Sequence, residues 1–517
     1  MYWKNKSPSF KKIKWVNNAN GLGVQFGFNI NYEEIWMKKF AKFKNKIDKW
    51  KNRDLTIEGK KLLINSYIVS SVSYLIDVYS ANVSAEFVKH TKELIRDFLF
   101  NGKCWKISQT NLALRRCHGG IELPDLDNFI RCKRIKWIIR VHFSKLSIWN
   151  AYGKYCLSKY DSKFGMKDFV MKCTTLNGLN VNIPEFYRVC LNDWYSITRK
   201  ECKTKDDILN QMICGNFRIK TKGTSLFYPN WVKSNLVKIC DIWDENIQQW
   251  KKGDFIFNNL TDKRNWLAEY NRIKAGIPQK WKDVLCDIPV EDRQNQLLNT
   301  QIIHFSSESL TINGKEKLYS KLKQKDIMFS CLYPTDIPKC AAVWSNAFEE
   351  DLKLSDIFSV KKSVLHERKC YYFHWKVLHS AVFTERKLQR MHKSNGICKI
   401  CNSDVESICH LLYNCERTCN FWDDVENLIA LVTNINVILD AKSVILGLSN
   451  EDINNNIKDI CNMIIIRGKW IIWKERNNVK YGNKQRLTSE AIFDIFLKDC
   501  KNFSSFLISS MQPLKPI

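Results

Sequence analysis

YEEIWMKKFAKFKNKIDKWKN, residues 32–52, reads as one long helix. Trp36, Phe40, Phe43, Ile47 and Trp50 recur at steps of four, three, four and three, so they line one side of an α-helix. Lys38, Lys39, Lys42, Lys44, Lys46, Lys49 and Lys51 cover the rest, against a single internal acid, Asp48. Lysines at that density repel one another unless an anion lies alongside.

The pattern continues on both sides of this segment. GKKLLINSYIVSSVSYLIDVYS (59–80) is mostly apolar and predicts a buried helix. SAEFVKHTKELIRDFLF (84–100) predicts a helix capped by Ser84, with a stripe of Val88, Ile95, Phe98 and Leu99. PDLDNFIRCKRIKWIIRVHF (124–143) predicts another, capped by Asp125 or Asp127, with a basic face of Arg131, Lys133, Arg134, Lys136 and Arg140. Only 19 glycines and 10 prolines occur in 517 residues, which suits long helices better than a sandwich or barrel. The expected fold is therefore mainly α. Residues 160–345 mix short apolar runs with polar stretches and show neither the helical nor the strand period. Helical patterning returns near 346 and ends with CNMIIIRGKWIIWKERNNVKYGN (461–483).

The formal net charge is +29, and residues 1–150 hold 28 basic against 12 acidic side chains. An excess so concentrated implies an anionic partner, nucleic acid or a membrane surface. An AT-rich coding sequence inflates lysine everywhere but does not explain the concentration at one end. The opening MYWKNKSPSFKKIKW lacks an apolar signal region, and no apolar run reaches spanning length, so the expectation is an intracellular protein, cytoplasmic or nuclear, without a membrane. Twenty cysteines in that setting are reduced thiols, and clustered ones are metal ligands before they are disulfides.

Such a cluster lies in CKICNSDVESICHLLYNC, residues 398–415. Cys398 and Cys401 form a CxxC pair, followed by His410 and Cys415. A CxxC turn directs two thiolates at one ion, and three sulfurs with one imidazole suit tetrahedral Zn²⁺. Four protein ligands leave no position for water, so the zinc would be structural, contributing roughly 10–16 kcal/mol to folding of its module. His410 and Cys415 are five residues apart, about 140° around an α-helix. The backbone must therefore bend near Asn414, or the helix must begin at His410. Cys409 and Cys419 are spare thiols, and buried free thiols are the competing explanation of the whole cluster.

Other motifs are weaker. Gly21-x-Gly23-x3-Gly27 misses the dinucleotide fingerprint and predicts a strand and turn. His374 and His379 lack the HExxH glutamate and read as packing residues. The acidic pairs at 206/207 and 423/424 lie in helical contexts rather than in a hairpin.

Several blocks resemble the C-terminal part of LINE-type, non-long-terminal-repeat retrotransposon reverse transcriptases. WKNRDLTIEGKKLLINSYIVS (50–70) resembles the start of the thumb, and GGIELPDLDNFIRCKRIKW (119–137) is similar to a later part of that region. SLFYPNW (225–231) resembles part of the connector. FHWKVLHSAVFTERKL (373–388), followed by the cysteine cluster, resembles the reverse transcriptase zinc-binding domain. WIIWKERNNVKYGN (470–483) is similar to the segment that often closes these proteins, and GLGVQFG (21–27) resembles the last palm strand.

The resemblance implies a thumb-like basic helical bundle over 1–160, a mixed connector with short strands over 161–345, a zinc-binding domain over 346–430 and a helical segment over 431–517. It implies that the endonuclease, fingers and palm would lie N-terminal to this chain. The paired aspartates that hold two Mg²⁺ for nucleotidyl transfer are then absent, and the chain is not expected to be an enzyme by itself. The expected role is grip on RNA or DNA, as template–primer or target, with the polymerase core in trans as a further partner. Candidate phosphate contacts are Lys38, Lys39, Lys42, Lys46, Lys49, Arg53, Lys60, Arg131 and Arg134; candidate Zn²⁺ ligands are Cys398, Cys401, His410 and Cys415. Trp375 and Trp422 are weighed as base-stacking or core residues. A zinc-stabilised protein-interaction module and a non-functional transposon remnant are the alternatives.

Overall fold

The structure is a computed structural model. It describes residues 17–101, 107–143, 148–179, 182–199, 202, 204–287, 304–305, 309–312, 315–318, 321–323, 326–327, 338–360, 368–448, 453–482 and 484–511. The fold is mainly helical with a few short antiparallel strand pairs, as the periodicity predicts. The chain divides into two compact units, one of residues 1–102 and 124–333, the other of 103–123 and 334–517.

In the first unit, β1 (Asn18–Gly21) and β2 (Val24–Gly27) form the hairpin expected from the glycine spacing. Next comes α1 (Tyr32–Lys51), capped by Asn31, whose side chain accepts from the Glu34 amide. Trp36, Phe43 and Ile47 of its stripe are buried, whereas Phe40 and Trp50 are half-buried at the margin. The segment predicted as a single buried helix is two, α2 (Ile57–Ile64) and α3 (Ser70–Val78), joined by a π-helical turn at Asn65–Val69. Only one side is buried, through Ile64, Ile68, Val72, Leu75 and Ile76; Leu62 and Tyr74 are exposed. Overall apolarity hid this amphipathic register.

α4 (Ala85–Phe100) is capped by Ser84, which accepts from the Phe87 amide at 3.0 Å and donates to Glu33 at 2.7 Å, tying α4 to α1. Its buried stripe is Phe87, Thr91, Ile95, Phe98 and Leu99; Val88 is half-buried, one step off the line. Phe87 packs against Trp36 with ring centroids 4.8 Å apart, and the Trp36 indole donates to Asn82 O at 2.8 Å. The helix Leu126–Phe143 starts where the Asp125 carboxylate accepts from the Asp127 amide at 3.0 Å, so Asp125 is the cap and Asp127 pairs with Lys92 instead. It packs against Glu185–Thr198 over Ile135, Ile138, Cys190 and Leu191.

Residues 204–285, where no period was legible, build a second core from short helices and two-residue strand pairs. Trp231, Tyr270 and Trp281 anchor it, and the Trp231 indole donates to Glu269 at 2.7 Å. Short elements carry too few turns for periodicity to accumulate.

In the second unit, the helix Arg368–Leu378 packs along the long helix Asn455–Tyr481, with the Phe373 ring 5.5 Å from Trp470 and 5.4 Å from Trp473. Trp375 and His379 both bond to Gly119 O, at 2.8 and 2.6 Å. Gly119 has φ +84°, and a Cβ there would lie 2.5 Å from the Phe358 ring, so only glycine fits the turn. No described helix is long and apolar enough to cross a membrane, and no disulfide joins the described cysteines.

Candidate metal centre and basic helix face

The loop before the metal cluster closes as a miniature hairpin. Ile397 and Val405 form an antiparallel bridge, Cys398 N donates to Asp404 O at 2.8 Å, and Glu406 N donates to Gly396 O at 2.9 Å. Gly396 has φ +85°, and a Cβ there would meet the Gln389 side chain at 2.5 Å. At the tip, Asn402 takes the left-handed conformation, φ +63°, and its amide donates to Cys398 O at 3.0 Å, folding the CxxC back on itself. The Cys398 sulfur accepts from the Ile400 amide at 3.4 Å, a bond that favours the thiolate.

His410 opens a π-helical turn, His410–Asn414, in which Cys415 N donates to His410 O at 2.8 Å. This i→i+5 bond widens the turn and draws residues five apart toward one face. Cys415 is then extended (ψ 129°) and serves as N-cap of Glu416–Thr433, so its sulfur lies at the positive end of an 18-residue helix. The expected bend near Asn414 is present, and the π turn shares the task with it.

The ligand atoms of Cys398, Cys401, His410 and Cys415 all lie within 4.8 Å of one another. His410 Nε2 is 3.4 Å from Cys401 Sγ. A tetrahedral zinc with these ligands needs ligand separations of roughly 3.3–3.8 Å, so small adjustments seat an ion. Cys398 and Cys415 are fully buried and His410 nearly so. On the other side of the imidazole, Nδ1 is 3.9 Å from an Asp404 carboxylate oxygen, which favours Nε2 as the ligand atom.

The protonation chemistry matches a metal donor set. The hydrogen bond from Cys415 holds the Cys398 thiol down to about 4, while the Cys415 thiol, donating to that thiolate, is pushed far up. His410 is raised to about 9, first by its hydrogen bond to Cys398 and then, against the effect of burial, by Cys401. Burial opposes ionisation of Cys401, but hydrogen bonds from Ser403, the neighbouring backbone and His410 outweigh it and lower its pKa. The cluster is thus half-ionised and bound by shared protons that a cation can replace. Cys409 stands outside it, its thiol raised by burial. Cys419 is exposed and donates to Glu416 O.

Sequence reasoning missed the ion cluster behind this loop. Glu406, between Cys401 and His410, is fully buried; it accepts from Glu385 N at 2.8 Å and from Arg476 Nη2 at 2.8 Å. Arg476 also donates to Glu385 at 2.5 Å, and Lys480 reaches the same carboxylate. The signal was the charged triplet within WKER, but spacing could not reveal partners 70 and 91 residues away.

The basic candidates divide. Lys42, Lys46 and Lys49 are exposed on α1 and form no ion pair among the described residues; Lys38 is exposed and pairs with Glu34 at 2.6 Å. Lys39 is half-buried, and its pKa is lowered by burial and by the charges of Lys42 and Lys46. Arg53 is exposed, with its guanidinium 4.4 Å from the Trp50 ring centroid. Lys60 is a correction: it is 5% exposed, and its ammonium donates to Leu99 O and Asn101 Oδ1 at 3.2 and 2.7 Å, capping α4. Arg134 is another, bonded to Ser80 O and to Asp193, with Arg131 3.7 Å from the same carboxylate. Lys133 pairs with Asp77 at 2.7 Å. Each of these cations faces a neighbouring segment that sequence spacing does not display. Trp375 and Trp422 are core residues, 3% and 1% exposed, with the Trp422 indole donating to Leu412 O at 2.6 Å.

Residues 339–422, which contain all four residues of the cluster, match the family described as zinc-binding in reverse transcriptase.

Proposed function

We propose that the chain is the zinc-stabilised, nucleic-acid-binding C-terminal part of a LINE-type reverse transcriptase, and that it grips a template–primer duplex or target site without performing nucleotidyl transfer. The cluster of Cys398, Cys401, His410 and Cys415 holds a structural Zn²⁺ in this reading, since four protein ligands close the coordination sphere. The thumb-like helices of residues 1–160 lie along the phosphates, and a polymerase core acting in trans supplies the chemistry.

The observation that carries the reading is the exposed face of α1. Lys42, Lys46 and Lys49 share it without an acidic partner among the described residues. Their mutual repulsion is relieved when phosphates intervene, and such contacts position a duplex without reading its sequence. Binding of an RNA–DNA hybrid is expected to weaken steeply as salt rises from low to moderate concentration. Affinity indifferent to salt, or no binding at low salt, rejects the proposal. Elemental analysis is expected to find zinc in the purified chain and to lose it in Cys398→Ser.

A further inference from the structure

A second feature of the zinc-bearing unit has no part in the metal centre. Beside the buried Arg476 cluster lies an open cleft of about 550 Å³, lined by Phe383, Leu388, Trp473, Asn477, Asn478 and Tyr481. That volume is ordinary for a small-ligand site. Trp473 is fixed as the back wall, with Phe373 stacked at 5.4 Å and the Arg476 guanidinium 5.0 Å from its ring centroid. Tyr481 stands at the mouth, 68% exposed in the last residue of the long helix.

The polar lining presents amides. Asn477 Oδ1 accepts from Arg476 at 3.2 Å, which leaves the NH₂ of that amide as a donor. The Asn478 side chain has no hydrogen-bond partner among the described residues, so it offers both a donor and an acceptor. Arg476 itself is committed to Glu385 and Glu406 and orients the wall rather than a ligand.

Apart from the buried Glu385 and Glu406, which Arg476 and Lys480 neutralise, the chain on either side of the cleft residues is basic. Arg386, Arg390 and Lys393 flank Leu388 in the chain, and Lys484 and Arg486 follow directly after the cleft; all five are exposed and none forms an ion pair among the described residues. Between 386 and 393 there is no acidic residue. A ligand suited to this setting has a flat aromatic body, hydrogen-bonding edges and flanking negative charge.

We propose that the cleft takes one unstacked base of a single-stranded nucleic acid, with Tyr481 as the stacking platform, Asn477 and Asn478 on the base edge, and the arginines and lysines on the adjoining phosphates. This deepens the reading of the chain as a nucleic-acid-gripping protein and rests on it. Aromatic stacking tolerates every base, and Asn478 can meet either donors or acceptors, so occupancy follows strandedness more than sequence.

The test measures binding of the full chain to a short oligouridine, a short oligothymidine and a blunt RNA–DNA duplex. Tyr481→Ala and Asn478→Ala are expected to weaken single-strand binding about tenfold each, while duplex binding stays at the parental level and Tyr481→Phe retains single-strand affinity. A difference between the uridine and thymidine oligomers identifies which nucleic acid the cleft prefers. If Tyr481→Ala binds single strands as tightly as the parent, the cleft assignment is wrong while the basic-face proposal stands. Equal losses in Tyr481→Phe and Tyr481→Ala also overturn it, because the ring face is then not what binds. A parent chain that binds neither single strands nor duplex removes both proposals together.

Discussion

Arg476, near the end of the long helix, donates to Glu406 at 2.8 Å, and Glu406 sits in the loop that joins Cys401 to His410. The side chains of Arg476 and Glu406 are about 1% and 0% exposed, and Glu385 completes the cluster at 1%. An ion pair so deeply desolvated holds together only while complete: removing one partner leaves an uncompensated buried charge. Arg476→Met is therefore expected to destabilise the zinc-bearing unit by about 3–5 kcal/mol, measured by denaturant unfolding. It should also lower zinc affinity in a chelator competition, because Glu406 fixes the loop on which Cys401 and His410 are mounted. Arg476→Lys should rescue little, since one ammonium cannot reproduce the fork that reaches Glu385 and Glu406 together. Unchanged metal affinity in Arg476→Met would separate the ion cluster from the metal loop.

Metal loading should release protons. Near neutral pH the apo cluster pairs a Cys398 thiolate, held down to about 4, with a His410 imidazolium, raised to about 9, and a Cys415 thiol. A metal needs the His410 imidazole neutral and every thiol ionised, so at least about two protons, those of His410 and Cys415, should leave per zinc near pH 7. The two shifts act oppositely on the apo fold. The His410 contribution is complete below the ordinary histidine pKa and is lost as pH rises through about 9; that of Cys398 is complete above the ordinary thiol pKa and is lost as pH falls toward about 4. Calorimetric titration in buffers of different ionisation enthalpy gives the proton count. A value near zero would mean that the four residues do not share an ion.

Much of this architecture was legible because periodicity and ligand spacing are local. The step pattern of Trp36, Phe43 and Ile47 identified α1 and its buried side, and Cys398, Cys401, His410 and Cys415 were singled out by spacing that the fold brings together. Partners distant in sequence were not legible. Lys60 looks like any surface lysine until Asn101 appears beside it, and Arg476 like any basic residue until Glu385 and Glu406 do. The short elements over 204–285 stayed opaque because their cohesion comes from anchors such as Trp231 and Tyr270 rather than from repeated turns.

The divided fates of the lysines give a paired experiment. Lys42→Glu, Lys46→Glu and Lys49→Glu combined should weaken hybrid binding and flatten its salt dependence, by about 0.9 in log–log slope for each phosphate that is no longer neutralised. Folding should change little, because all three side chains are exposed. Lys60→Gln should do the reverse, lowering thermal stability by weakening the cap on α4 and leaving the salt slope in place. If Lys60→Gln matches the triple variant in binding and also folds normally, the capping assignment is incorrect.

Lys469 is fully buried in the long helix, where its amine donates to His374 Nδ1 at 2.9 Å and to Ile445 O at 3.0 Å. A neutral amine has two N–H groups, and here both are used; an ammonium would carry a third with no acceptor among its described contacts. Burial pushes the Lys469 pKa well below its ordinary value of 10.5, and burial followed by the Lys469 charge does the same to His374. Because the folded pKa is depressed, the unfolded chain binds the extra proton. Stability from this group is complete above 10.5 and is lost as pH falls toward the folded value. The parent should therefore lose stability relative to Lys469→Met as pH drops below 10.5, and stop losing it once the folded amine also takes up its proton. Parallel stability curves for the two proteins over that range would show that Lys469 remains charged inside the fold.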